Sequence, residues 1–341
     1  MNRHQLIAST LAVTFSLSLL SETAMACSRI FWNDNDQAHV VARTMDLYMS
    51  DEAELVVSPR GLERDGMTGD ENAALWTSDY GSSAVTAFGI AATDGLNEAG
   101  LAANLLYLTG SEYAERDENV PGLSNVMLAQ YVLDNFATVD EALEGLESVQ
   151  VVATEVAGRT WPLHLSVADA SGDSAVIEFI DGEMVVHHGV DVTVMTNEPT
   201  YEEQIANLSN YKPFGGELSL PGDIDPLSRF VRASTYLDTL PEPANAVEAV
   251  AGAYSVARNV AVPFGAQDSS ATGAEDTWST LWFALADTTN LNYYFQSTQS
   301  PNLYWVDFDN VDFSIGAPVL KVDAYDYTLS GEISERLEPA S

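Results

Sequence analysis

"MACSRIFW" (residues 25–32) decides how the rest of this chain is read, because it holds the one cysteine among 341 residues. Cys27 follows a segment built like a cleavable leader. Arg3 and His4 make a short basic start, and "LIASTLAVTFSLSLL" (6–20) is apolar. Ala24 and Ala26 then occupy the −3 and −1 positions of an A-x-A cleavage site. The apolar run is shorter than the roughly 20 residues that a bilayer-spanning helix needs. Nothing later approaches that length. The sequence therefore predicts an exported chain, periplasmic or secreted, that loses residues 1–26, begins at Cys27 and has no membrane partner after cleavage. A lone cysteine in such a chain has no internal disulfide to make, so its position at the new N-terminus needs a reason.

Composition narrows the partners. There are 51 Asp+Glu against 13 Lys+Arg, and Lys212 and Lys321 are the only lysines, for a net charge of −38. Nucleic acid is excluded as a partner, because phosphate recognition depends on basic patches. With 46% hydrophobic and 19% charged residues, the chain lacks the composition of a disordered polyanion. A packed core beneath an acidic, lysine-poor surface fits better, of the kind a salt-tolerant organism exports.

No repeat, low-complexity tract or long Pro/Gly/Ser linker divides residues 27–341, which predicts one domain. Short β-like runs open it: "SRIFW" (28–32), "HVVART" (39–44), "ELVVSP" (54–59) and "SAVTAFG" (83–89). "DGLNEAG" (94–100) reads as a turn before the strand "LAANLLYL" (101–108). Helical spacing takes over across 122–136, and Thr138 with Glu141 has capping-box spacing ahead of a further helix. A second β block spans 162–197, with hairpin loops at Ser171–Asp173 and Asp181–Glu183. Helices are expected near 200–211, 226–239 and 244–258, before closing strands in "WSTLWFALAD", "NYYFQST" and "NLYWVDF". Two β blocks, each accompanied by helices, indicate a layered α+β fold rather than an alternating βαβ series.

Three readings of Cys27 are open on position alone. It is an incidental small residue beside a cleavage site; or it carries a lipid, as the first residue of a bacterial lipoprotein does; or it is a nucleophile. Ala24 stands where a lipoprotein signal normally has a Leu-like residue. In the third reading the thiol's own α-amino group, with a pKa of about 7.7–8.0 against about 8.5 for the thiol, serves as general base without a histidine. "ARTMD" (42–46) favours this one: a nearby Arg43 would stabilise the thiolate, and the Asp46 carboxylate would orient the terminal ammonium.

Taken in order, "CSRIFW…ARTMD" (27–46), "DGLNEAGLAANLLYL" (94–108), "VMTNEPTYEEQ" (194–204), "LPGDIDPLSRFVRAS" (220–234) and "SPNLYWVDF" (300–308) resemble the choloylglycine hydrolase family. That family comprises the bile salt hydrolases and penicillin V acylases. The resemblance implies a four-layer αββα N-terminal-nucleophile (Ntn) fold and cleavage of an acyl amide through a thioester. It implies Cys27 as nucleophile and base in one residue, with Arg43 and Asp46 tuning the pair. Asn197 would offer its side-chain amide to the oxyanion, Tyr107 would fill the partner oxyanion position, and Arg229 would complete the polar network. Arg232 would be structural.

The stretch between Asn197 and Arg229 is shorter than in Gram-positive members, whose insertion there helps to build a tetramer. Homo-oligomerisation by that route is therefore not implied. The short form resembles the Gram-negative branch, which acts on penicillin V and N-acyl homoserine lactones more than on bile salts. Leu47 replaces an aromatic residue of that branch, and Leu47, Tyr48 and Met49 are candidates for the acyl pocket. Of the five histidines, His187 and His188 are adjacent and would face opposite sides of a strand, while His39 and His164 stand apart. They form no metal-ligand spacing, and no cofactor is expected. The partner implied is a small acyl amide. An acidic surface would not steer an anionic substrate, although 1 M salt screens charge beyond roughly 3 Å. The rival from another class is a cysteine-lipidated, non-catalytic surface or binding protein.

Overall fold

The structure, a computed structural model, describes residues 27–156, 158–266 and 278–340. The leader expected at 1–26 lies outside the described residues. Two sheets form the centre. In the seven-stranded sheet the order is Val194–Thr196, Ser28–Trp32, Val40–Asp46, Thr280–Asp287, Asn292–Ser297, Tyr304–Asp307 and Gly331–Glu332. Its pairs are antiparallel except the last. The nine-stranded sheet is antiparallel throughout. It runs from Glu183–His188 through Ser174–Ile180, Leu163–Ala168, Ala102–Tyr107, Ala91–Asn97, Ser82–Ala87, Glu54–Ser58 and Leu320–Asp323 to Glu338–Pro339.

Strand alternation explains the layers. Phe31, Val41 and Met45 point from the seven-stranded sheet into a core shared with Leu55, Val85, Leu96 and Val176 of the other sheet. The alternate residues Ile30, Trp32, Val40 and Ala42 point outward, under helices α4 (Pro226–Asp238) and α5 (Ala246–Val260). Leu105, Leu165, Val167 and Ile177 leave the opposite face of the nine-stranded sheet and pack on α1 (Leu128–Asn135) and α2 (Val139–Leu146). Helix, sheet, sheet, helix: the αββα order expected of an Ntn hydrolase is present. Both sheets are buried on both faces, so their strands read as nearly continuous apolar runs.

Local chemistry sets the helix starts. Thr138 accepts from the Glu141 amide and caps α2, while the Glu141 carboxylate reaches the Ala137 amide. Asp225 caps α4, with Pro226 in the first turn. A full capping box of Thr200 and Glu203 opens the short helix α3 (Tyr201–Leu208).

Two expectations need correction. Helical structure does not begin at 122, because Gly122–Ser124 is a strand paired in parallel with Gln150–Val152. The Gly122 and Ser124 amides donate to Asn72 and Gly66 carbonyls, so loop contacts override the helical spacing, and α1 starts only at Leu128. The turn placed at 94–100 is shorter than expected. Asp94–Asn97 completes a strand, and the chain reverses at Glu98–Gly100, where Gly100 takes a φ of +88°. The strand Leu320–Asp323 was not foreseen; it is four residues long and only half-buried.

Helix α5 presses closely on the first strand. A Cβ on Gly252 would lie 2.6 Å from the Trp32 ring, and Trp32 is itself buried. Alanine gains about 1 kcal/mol of helix propensity over glycine, whereas overpacking a rigid ring costs about 1–3 kcal/mol. Gly252→Ala is therefore expected to lower stability by roughly 1 kcal/mol in urea denaturation, and a rise in the urea midpoint would refute the close approach.

Candidate active site

Cys27 lies at the head of the first strand, 4% exposed, with its side chain on the inner face of the sandwich. The neighbouring strand runs antiparallel to it, with Ser28 opposite Thr44 and Arg29 opposite Arg43. This register brings the end of "ARTMD" beside the cysteine: the Asp46 amide donates to Cys27 Sγ at 3.4 Å, and Sγ lies 3.8 Å from the Asp46 carbonyl oxygen.

Asn197 ties the site together. It follows the edge strand Val194–Thr196, which pairs with Ser28–Ile30. Its Oδ1 accepts from the Cys27 backbone nitrogen and, at 3.0 Å, from Arg229 Nη2. Its Nδ2 donates to the Tyr107 carbonyl at 2.7 Å. Arg229, in the first turn of α4, is fully buried and also donates through Nη1 to the Cys27 carbonyl and the Ser28 hydroxyl. Its Nε reaches the Ile224 carbonyl at 2.9 Å. Arg232 turns away to Asn259 and the Asp223 carbonyl.

Two roles differ from the expectation. The Cys27 nitrogen, a peptide nitrogen in the full chain, meets Asn197 rather than the Asp46 carboxylate. That carboxylate accepts instead from the hydroxyls of Thr280 at 2.5 Å and Thr44 at 3.3 Å. Asn197 Nδ2 is engaged by Tyr107, so one of its two hydrogens is already placed. Arg43 and Asp46, three apart on one strand, project from opposite faces of the sheet. Arg43 donates to the Leu105 carbonyl at 2.9 Å, stacks 4.8 Å from the Trp282 ring and pairs with Asp94 at 3.7 Å. Asp94 accepts in addition from Asn104 and from the Tyr293 hydroxyl. Sequence reading missed Asp94 as a partner because it was assigned to a turn; an acid inside an otherwise apolar strand was the available signal.

Electrostatics follow from burial. Desolvation pushes the Cys27 thiol up, against the pull of Arg43 and Arg229. Arg43 does pull the thiol down, in the direction expected of a nearby guanidinium, but burial outweighs that pull. Asp46 is pushed up to about 7, again by burial first, with Arg229, Thr280, Arg43 and Thr44 opposing.

A cavity of about 90 Å³ opens beside Cys27. Leu47, Phe88, Ile90, Val126, Val156, Leu163, Trp161 and Trp278 make it apolar, with Arg43, Asp46 and Tyr107 at the reactive end. Of the three predicted pocket residues only Leu47 lines it. Tyr48 sits at the rim, its ring 5.1 Å from Trp278 and its hydroxyl 3.3 Å from Arg159 Nη1. Met49 is 41% exposed and outside the lining. Much of the apolar wall comes from Phe88 and Ile90, from Val156, Trp161 and Leu163, and from Trp278, whose spatial meeting leaves no local pattern in the sequence.

The adjacent histidines do face opposite ways. His187 meets Glu178 at 3.4 Å and stacks on Tyr201, while His188 meets Asp173 at 2.7 Å. Asp140 joins the latter pair, the three side chains lying within 4.8 Å of one another at the protein surface.

The titration of Asp46 has a testable sign. Its folded-state value lies above the 3.8 of an exposed aspartate, so its share of stability is complete below about pH 4 and is lost as pH rises through about 7. In the full-length chain, the urea midpoint of Asp46→Asn relative to the parent should rise between pH 4 and 7.5. A constant difference would refute the buried, raised carboxylate.

The comparisons agree with this geometry. A family model described as linear amide C-N hydrolases, choloylglycine hydrolase family, matches residues 27–323. The chain is 39% identical to a penicillin V acylase of Pectobacterium atrosepticum, over 95% of this chain and 93% of that one. It is 31% identical to a bile salt hydrolase/transferase of Bifidobacterium longum, over 61% and 73% respectively. The solved penicillin V acylase of Agrobacterium tumefaciens superposes with a TM-score of 0.84 at 41% identity, covering 92% of this chain and 98% of that one. With Cys27, Asn197 and Arg229 joined by hydrogen bonds and the family match starting at Cys27 itself, the chain belongs to the choloylglycine hydrolase family of linear amide C–N hydrolases.

Proposed function

We propose that the protein is exported, loses residues 1–26 and uses the freed Cys27 to hydrolyse amides of small apolar or aromatic acyl groups, penicillin V and N-acyl homoserine lactones among them. The observation that carries this reading is the apolar cavity with Cys27 in its wall. An ion or a polar chain would lose its hydration there without replacement, whereas an aromatic ring or alkyl chain gains from burial. The cavity is of the order of the 150 Å³ one that holds a single benzene ring. A steroid would extend well beyond it, and for that reason we rank conjugated bile salts second.

The proposed steps use groups already at the site. Once residue 26 is removed, the Cys27 nitrogen becomes an amine, and it takes the thiol proton as Sγ attacks the carbonyl carbon. Asn197 Nδ2, with its second hydrogen, and a backbone N–H near Tyr107 stabilise the oxyanion; such a donor is worth about 2.7–4 kcal/mol in the transition state. The C–N bond breaks as the ammonium returns the proton to the leaving amine. Water then attacks the thioester, regenerating the thiol and releasing the acid. Arg229 holds Asn197 and the Cys27 carbonyl in place, and Arg43 and Asp46 set the local charge. Because burial raises the thiol, an amine within reach is a better base for it than solvent.

Amine release by protein shown by intact mass to begin at a lipid-free Cys27 tests the reading. Penicillin V, acyl homoserine lactones and glycocholate are offered in parallel. Cys27→Ala should abolish release; equal release by the variant would sink the mechanism. A lipid on Cys27 would block the amine and favour the binding-protein rival. Release from glycocholate alone would reverse the order of substrates.

The pocket assignment makes its own prediction. Phe88→Ala should raise KM for a phenoxyacetyl amide by roughly tenfold, the equivalent of about 1.4 kcal/mol of lost apolar contact, and barely change KM for the acetyl analogue. Equal changes for the two would show that the acyl group binds elsewhere.

A further inference from the structure

We propose that Arg159 is a specificity-determining residue that holds a carboxylate carried by the amine half of the substrate, at the mouth of the pocket. The inference deepens the acyl-amide hydrolase reading above and rests on it. In a chain with 51 acids and 13 bases, exposed and half-buried cations are expected to sit on carboxylates, and several do. Arg64 lies 2.8 Å from Asp134, Arg116 2.8 Å from Asp70, and Lys321 2.7 Å from Glu54. As with Lys212, Arg258 and Arg336, among the described residues no carboxylate lies within ion-pair distance of Arg159; what sets Arg159 apart is its place beside the pocket. Its guanidinium rests instead on aromatic groups of the pocket, 4.3 Å from the Trp161 ring and 3.3 Å from the Tyr48 hydroxyl. Its charge also acts on the Tyr107 phenol, on the residue whose carbonyl accepts from Asn197.

The chemistry of the two substrate halves decides which one Arg159 meets. The acyl half enters an apolar cavity, where a carboxylate could not be desolvated without a partner. The amine half remains at the mouth and departs through it. A guanidinium presents five N–H donors in a planar fork that matches a carboxylate. Stacking on Trp161 holds that fork in place beforehand, so little freedom is lost on binding. A protein of net charge −38 repels anions at long range, and an arginine stacked on Trp161 at the mouth is a local device that reverses this for the bound substrate. The substrate class is N-acyl amino acids and other acyl amides with a carboxylate on the amine fragment, preferred over amides of uncharged amines such as lactones.

The test compares N-phenoxyacetylglycine with N-phenoxyacetylglycinamide, which share the acyl half and differ in that charge. In wild-type protein kcat/KM for the acid should exceed that for the glycinamide. Arg159→Gln should cut this ratio about tenfold, Arg159→Lys should retain most of it, and Arg159→Glu should lower it further. Thermal melting checks that each variant folds. A ratio unchanged within twofold in Arg159→Gln, or a wild-type preference for the glycinamide, overturns the inference while leaving the hydrolase reading intact. No release from either substrate by wild-type protein beginning at Cys27 overturns the phenoxyacetyl amide reading itself, and this inference with it.

Discussion

The side chain of Asn197 is the joint on which the site depends. One amide group reaches three parts of the chain: the nitrogen of Cys27, the guanidinium of Arg229 and the carbonyl of Tyr107. Those groups come from the first strand of one sheet, the first turn of α4 and the last residue of a strand in the other sheet. All but Tyr107 are buried to within a few per cent. A lost bond here leaves a polar group in the interior with no water to replace its partner, which costs about 1–3 kcal/mol. The two sheets and one helix layer are thereby held in register at the point where the thiol stands.

Burial sets the chemical character of the site more than any single charge. Three arginines, Arg29, Arg43 and Arg229, are wholly enclosed. Asp46 and Asp94 supply nearby negative charge, and backbone carbonyls take much of the remaining hydrogen bonding. Even so, desolvation raises both the thiol and Asp46. A buried thiol beside cations is not automatically a thiolate. Such a site suits a nucleophile that carries its own base, and the N-terminal amine proposed for Cys27 is one. The strongly acidic composition belongs to the exterior and to solubility, and it bears on the site only at the mouth, where Arg159 stands against it.

Much of this was legible in the linear sequence. Alternation and continuous apolar runs located most strands of both sheets, and the capping pair Thr138 and Glu141 marked a helix start, because those signals are carried within a few residues of one another. The order of motifs around Cys27, Asn197 and Arg229 identified the family, and the site gathers those residues. What sequence could not supply was the pairing of side chains across layers. Arg43 was assigned to the Cys27 thiolate, and its ion-pair partner Asp94, on the facing sheet, was not foreseen. Met49 was placed in the pocket by proximity along the chain, while Phe88, Trp161 and Trp278 went unnoticed.

The sequence by itself determined most of the strand and helix pattern, the αββα class through its family motifs, and the candidate residues that the fold gathers around Cys27. Only the tertiary structure decided who pairs with whom, which walls form the apolar cavity, and which way the thiol and Asp46 shift. The physical reason is that local conformation depends on near neighbours in the chain. Desolvation and cross-sheet contacts depend on groups brought together from positions as far apart as Cys27, Asn197 and Arg229, and no short stretch of sequence contains them.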